Sequence, residues 1–84
     1  SIKQDTSIIL TKYIHDSVDF IVNNFSEEQA KKLTPDEIGF IMSNVICTGI
    51  RIRTKSTAIA YFDEMCDIIR DILDVGILYT DEEF

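Results

Sequence analysis

Basic residues are scarce in this sequence. Its 84 residues carry 8 Lys and Arg against 15 Asp and Glu, a formal net charge of −7 at pH 7. Nucleic-acid and anionic-membrane binders need a cationic surface, so neither class is expected. Cysteine is also sparse. Cys47 and Cys66 are too few for a disulfide framework, and both lie in apolar helical settings, so buried free thiols of a reducing compartment, the cytoplasm, are expected. Long apolar runs are missing. Ile8-Ile9-Leu10 is cut short by Lys12, so neither a membrane span nor a signal peptide is expected. The one histidine, His15, sits beside Asp16 and Asp19 on the wet side of a helical pattern, with no nucleophile to serve, and reads as a surface residue. There is no glycine-rich phosphate loop, no zinc-ligand spacing and no nucleophile elbow. No cofactor, metal or catalytic apparatus is therefore expected.

What the chain does have is helical patterning, strongest from Thr34 to Arg53. Thr34 is a good N-cap, Pro35 suits the first helical position, and Glu37 completes a capping box. Between Ile38 and Ile52 only Ser43, Asn44, Thr48 and Arg51 are polar. A helix this apolar must be covered by others, so the sequence predicts a central helix in one small all-α domain spanning residues 1–84. Gly39, Ser43 and Cys47 form a small-residue ridge along it, suited to close approach by another helix.

A first helix is expected from a cap at Asp5, Thr6 or Ser7 to about Asn23. Leu10, Tyr13, Ile14, Ser17, Val18, Ile21 and Phe25 form its buried stripe. Ser26-Glu27-Glu28-Gln29 reads as a second capping box, opening a short linker helix. A last long helix is expected from about Thr57 to Val75, with a core stripe of Ala58, Ile59, Phe62, Met65, Cys66, Ile69, Ile72 and Leu73. Gly76 stands where a left-handed C-cap belongs, and residues 76–84 form a flexible or docking tail.

The join between the central and last helices is ambiguous. Residues 51–57 hold neither glycine nor proline, and Ile38, Val45, Ile52, Ile59, Cys66 and Leu73 keep a seven-residue spacing through them. The favoured reading turns near Thr54–Ser56 into an antiparallel hairpin. The alternative is one helix from Pro35 to Val75, roughly 60 Å long, which so small a domain could cover only by oligomerising.

Three features stand out as candidate surfaces. Asp63, Asp67, Asp71 and Asp74 fall on one helix face, where like charges repel, so they read as a solvated face or as a docking face for a basic partner. Arg51, Arg53 and Lys55 form a basic patch that could pair with those acids, in the same or another copy, or bind an anion. Adjacent Tyr61 and Phe62 cannot both enter one core. With Phe20 and Phe40 they leave more apolar bulk than three helices hide, a surplus typical of interfaces.

The run Leu33-Thr34-Pro35-Asp36-Glu37-Ile38 resembles the start of the helical hairpin in phage cyclic-nucleotide sponge proteins. That family carries a tyrosine and a lysine for its ligand where this sequence has Ala30 and Val45, so the family is not adopted. Isoleucine greatly outnumbers leucine, as in an A+T-rich genome such as a phage or low-GC bacterium. The expectation from the sequence is therefore an all-α bundle of three main helices and a short linker helix, forming a homodimer or higher homo-oligomer. It would act as a non-enzymatic regulator or inhibitor that binds a protein partner, itself basic, through Asp63, Asp67, Asp71, Asp74, Tyr79 and Phe84. The alternative is a homo-oligomer that binds a small ligand or nucleotide at Arg51, Arg53 and Lys55 between subunits.

Overall fold

Both capping boxes form and set the two joints of the first half of the chain. The computed structural model describes residues 2–79, with side chains from Gln4 onward. Helix α1 spans Ile2–Asn24, α2 Glu27–Lys31, α3 Pro35–Cys47, α4 Ile52–Ala60 and α5 Phe62–Val75, and a 3₁₀ turn covers Ile77–Tyr79. At α2, Ser26 Oγ accepts from the Gln29 N–H (3.1 Å) while the Ser26 N–H donates to Gln29 Oε1 (2.9 Å). At α3, Thr34 Oγ1 accepts from the Glu37 N–H (3.1 Å) and the Thr34 N–H donates to Glu37 Oε1 (2.8 Å). Each box satisfies two amides that the helix start leaves unpaired, worth about 1 kcal/mol per cap.

Helices α1, α3 and α5 pack against one another, and α4 packs on α1. The interior is built from Ile21, Ile38, Met42, Met65, Ile69 and Leu73, all fully buried. The stripe expected on α1 is the buried one: Tyr13, Ser17, Val18 and Ile21 are inside, and Leu10, Ile14 and Phe25 are half-buried against them. Ser17 is the one buried polar side chain among the described residues, and its hydroxyl is satisfied by donating to the Tyr13 carbonyl (2.8 Å).

The second half departs from the sequence reading in several places, and the first helix differs too, starting at Ile2, before the expected caps. Helix α3 stops at Cys47, so neither the turn at Thr54–Ser56 nor the single helix from Pro35 to Val75 is formed. The last turn of α3 tightens at Thr48 and Gly49. Thr48 Oγ1 donates to the Val45 carbonyl (2.6 Å), the acceptor that a continuing helix would offer to the Gly49 amide. That amide bonds instead to the Ile46 carbonyl (3.1 Å), which tightens the last turn. A side chain at Gly49 would meet the Tyr13 hydroxyl at 2.8 Å, and that hydroxyl holds Thr54 Oγ1 of α4 at 3.0 Å. Glycine thus lets α1 reach across the corner and pin α4.

The expected last helix is two helices meeting at Tyr61, whose backbone leaves the helical region (φ −117°, ψ 27°). The Tyr61 amide bonds to the Ala58 carbonyl three residues back. The break settles the conflict between neighbouring aromatics: Phe62 turns inward onto Gly39, while Tyr61 stays outside. The small-residue ridge is therefore used only at Gly39, by Phe62, whereas Ser43 and Cys47 face solvent. Two burial expectations fail with the changed geometry. Ile59 is 65% exposed, and Cys47 is exposed with only Cys66 half-buried.

Gly76 ends α5 in the left-handed region (φ 71°), as expected. Arg70 fastens α5 to the joint between α2 and α3. Its guanidinium donates to the carbonyls of Leu33 and Ala30, the latter at 2.9 Å, and pairs with Asp74 at 3.0 Å. No helix among the described residues is long and apolar enough to cross a membrane.

Candidate interaction surface

Only one side of α3 is covered. Its Ile38, Met42 and Ile46 side chains are buried against the bundle, but Phe40, pointing the other way, is 71% exposed. An exposed phenylalanine leaves a large apolar surface in water. One alone would need no explanation, but several apolar side chains gathered around it mark a surface meant to be covered.

Here they do gather. Between α1 and α3 runs a groove of about 600 Å³ whose floor is Phe20, Phe25, Leu33, Phe40, Ile41 and Val45. Phe20, on α1, is itself 47% exposed. Among the described residues, the charged ones in this groove are Asp16 and Glu37. On the far side of Phe40 lies a second, shallower groove between α3 and α5, lined by Gly39, Phe62, Cys66 and three carboxylates, Asp36, Asp63 and Asp67. Phe40 is therefore a hydrophobic knob standing between two grooves whose charged lining, among the described residues, is five carboxylates, of which Asp16 is already paired with Lys12 at 3.1 Å. Carboxylates gathered in this way make the local potential negative.

The acidic stripe divides at this surface. Asp63 and Asp67 line the α3–α5 groove, whereas Asp71 is exposed farther along α5 and Asp74 is engaged by Arg70. Tyr79 is half-buried and packs on the core, with its hydroxyl buried and without a hydrogen-bond partner among the described residues. Burial first, and the Glu27 carboxylate second, push its phenol above the usual range. Phe84 lies outside the described residues. Cys66, against the Pro35 carbonyl at 3.5 Å, has its thiol pushed up by burial and then by Asp67 and Asp63.

The basic patch does not pair with the acidic stripe within one copy: among the described residues Arg51, Arg53 and Lys55 form no ion pair. Arg51 lines the continuation of the α1–α3 groove, while Arg53 is exposed and lines no shared cavity. His15 is exposed beside Asp16 and Asp19, at 3.8 and 3.5 Å. No cluster of three or more His, Cys, Asp or Glu among the described residues could hold a metal ion.

Phe40, Asp36, Glu37 and Asp16 were not marked as site residues by sequence reasoning. Part of the signal was present, in the surplus of aromatics that includes Phe20 and Phe40. The acids at Asp36 and Glu37 look like ordinary first-turn helix residues, and only the approach of α5 brings Asp36 together with Asp63 and Asp67. No family model, curated protein or solved structure matches this chain.

Proposed function

We propose that this protein acts by binding rather than catalysis, presenting the Phe40 face to a basic amphipathic segment of another protein and so regulating or inhibiting it. One observation carries the reading: a bare aromatic knob flanked on both sides by carboxylates, four of which (Asp36, Glu37, Asp63 and Asp67) have no ion pair among the described residues. A helix laid along the α1–α3 groove would bury apolar residues at i, i+3 or i+4 and i+7 against Phe20, Phe40 and Ile41. Its lysines or arginines would reach Glu37 on one side and Asp36, Asp63 and Asp67 on the other. Apolar contact supplies affinity and the carboxylates supply selection, because an acidic helix at the same place would be repelled.

The test uses a synthetic amphipathic helix of leucine and lysine and its leucine–glutamate counterpart. In ¹⁵N-labelled protein, the lysine peptide should shift amide signals around Phe20, Phe40, Asp63 and Asp67, and the glutamate peptide should not. Phe40→Ala should weaken binding by roughly 30-fold, the scale of an interface hot spot, while an unchanged thermal melt shows the fold intact. Reversing Asp63 and Asp67 to lysine should weaken binding and flatten its salt dependence. Equal binding of both peptides, or indifference to Phe40→Ala, would overturn the proposal.

A further inference from the structure

We infer that the same face also takes a second copy of this chain, as a closed twofold dimer. The inference rests on reading the Phe40 face as a docking surface and names one occupant for it.

The α1–α3 groove does not end at its acidic section. It continues toward the α3–α4 corner as a further space of about 450 Å³, sharing Asp16, Val45 and Thr48 with the first. Ile8, Ile9 and Ile50 make this second section apolar, and Ile50 is 92% exposed, with Ile52 beyond it at 80%. Its charged residues are Lys12, Arg51 and the shared Asp16. Lys12 already pairs with Asp16 at 3.1 Å, which leaves Arg51 as the uncompensated charge at this end. One groove thus runs from an aromatic section bearing Glu37 to an aliphatic section bearing Arg51.

Such a strip is complementary to itself when reversed. The Phe40 section and the Ile50 section adjoin at the residues they share, Asp16, Val45 and Thr48. A twofold axis through Val45 and Thr48 would lay Ile50 of each copy against the Phe40 section of the other. Arg51 would meet Glu37 twice, once at each end. At the axis, Val45 faces Val45, and Asp16 arrives with its charge already answered by Lys12. Isologous contacts of this kind close at two copies, and twofold dimers are the commonest homo-oligomers. A specific interface needs about 600 Å² from each copy, roughly a tenth of the 5958 Å² surface. The dimer covers Phe40, so a second copy and a basic partner compete for one face.

Sedimentation equilibrium of the full chain tests this. Mass should rise with concentration from one copy to two and stop there. Arg51→Glu and Glu37→Arg should each raise the dissociation constant at least about tenfold, because like charges then meet at both ends. Glu37→Arg also removes the Glu37 half of the α3 capping box, so its thermal melt is measured beside it to show the chain folded. An equimolar mixture of the two variants should recover the dimer, since opposite charges meet again at both contacts. A wild-type chain that stays monomeric, a mass that grows past two copies, or a mixture that does not recover would overturn the inference. The leucine–lysine peptide, added to Arg51→Glu protein, separates this from the reading beneath it. Peptide binding with a monomeric wild type removes the dimer alone, and a dimer with no peptide binding removes the foreign partner alone.

Discussion

Removing the Arg70 guanidinium should loosen the joint between α2 and α5 and destabilise the whole chain. Its side chain is only 22% exposed, and it donates to the carbonyls of Ala30 and Leu33 at the end of α2. These lie among the carbonyls that a helix end leaves without regular partners, so the guanidinium acts as a C-terminal cap. Arg70→Met keeps the apolar stem and deletes the donors. Two hydrogen bonds from a charged donor, each near the low end of 1.5–3 kcal/mol because water partly replaces them, give a loss of about 3 kcal/mol. For a chain this short, that lowers the melting temperature by roughly 15 °C. Urea denaturation at neutral pH should show the midpoint falling with an unchanged slope. Asp74→Asn is the control. Asp74 is 57% exposed, so loss of its pair with Arg70 should cost less than about 0.5 kcal/mol. If Arg70→Met were as mild as Asp74→Asn, Arg70 would not be what holds α2 and the Leu33 end of the groove to α5.

Two further outcomes follow from the geometry. Gly76→Ala should destabilise by about 1–2 kcal/mol, because φ is 71° and the new methyl would strike the Glu27 carboxylate; a melt unchanged within error would contradict this. In native protein, a maleimide should label exposed Cys47 well before half-buried Cys66. Because the Cys66 thiol is pushed up, its thiolate fraction at a given pH is lower than that of an ordinary thiol, so its labelling should quicken only as pH rises above the usual thiol range. Mass mapping of the labelled peptides against pH checks the order, and equal rates near neutral pH would refute it.

Local chemistry was legible wherever a few neighbouring residues decide the outcome. The Ser26–Gln29 and Thr34–Glu37 boxes, the Gly76 cap and the α1 stripe around Tyr13, Ser17 and Ile21 all lie within one or two helical turns. The α3–α4 corner was not legible. The heptad spacing runs unbroken through it from Val45 to Ile52, and the fit of Tyr13 over Gly49 and onto Thr54 joins residues more than thirty apart in the chain. The acidic stripe was visible as a helix face, but its division was not. Which aspartates meet Asp36 and which meets Arg70 depends on how α5 lies against α3 and α2.

The sequence by itself determined that the chain is helical, where three of its helix ends fall, and that it carries more apolar bulk than its helices can hide from water. Those follow from periodicity and capping, which act over a few residues, and from composition. Only the tertiary structure decided that Phe40 stays outside, that five carboxylates from three helices gather around it, and that Arg51 ends the same groove. Those are matters of which faces are left over once Ile38, Met42, Met65 and Ile69 have been buried together, and burial is a property of the whole packed chain.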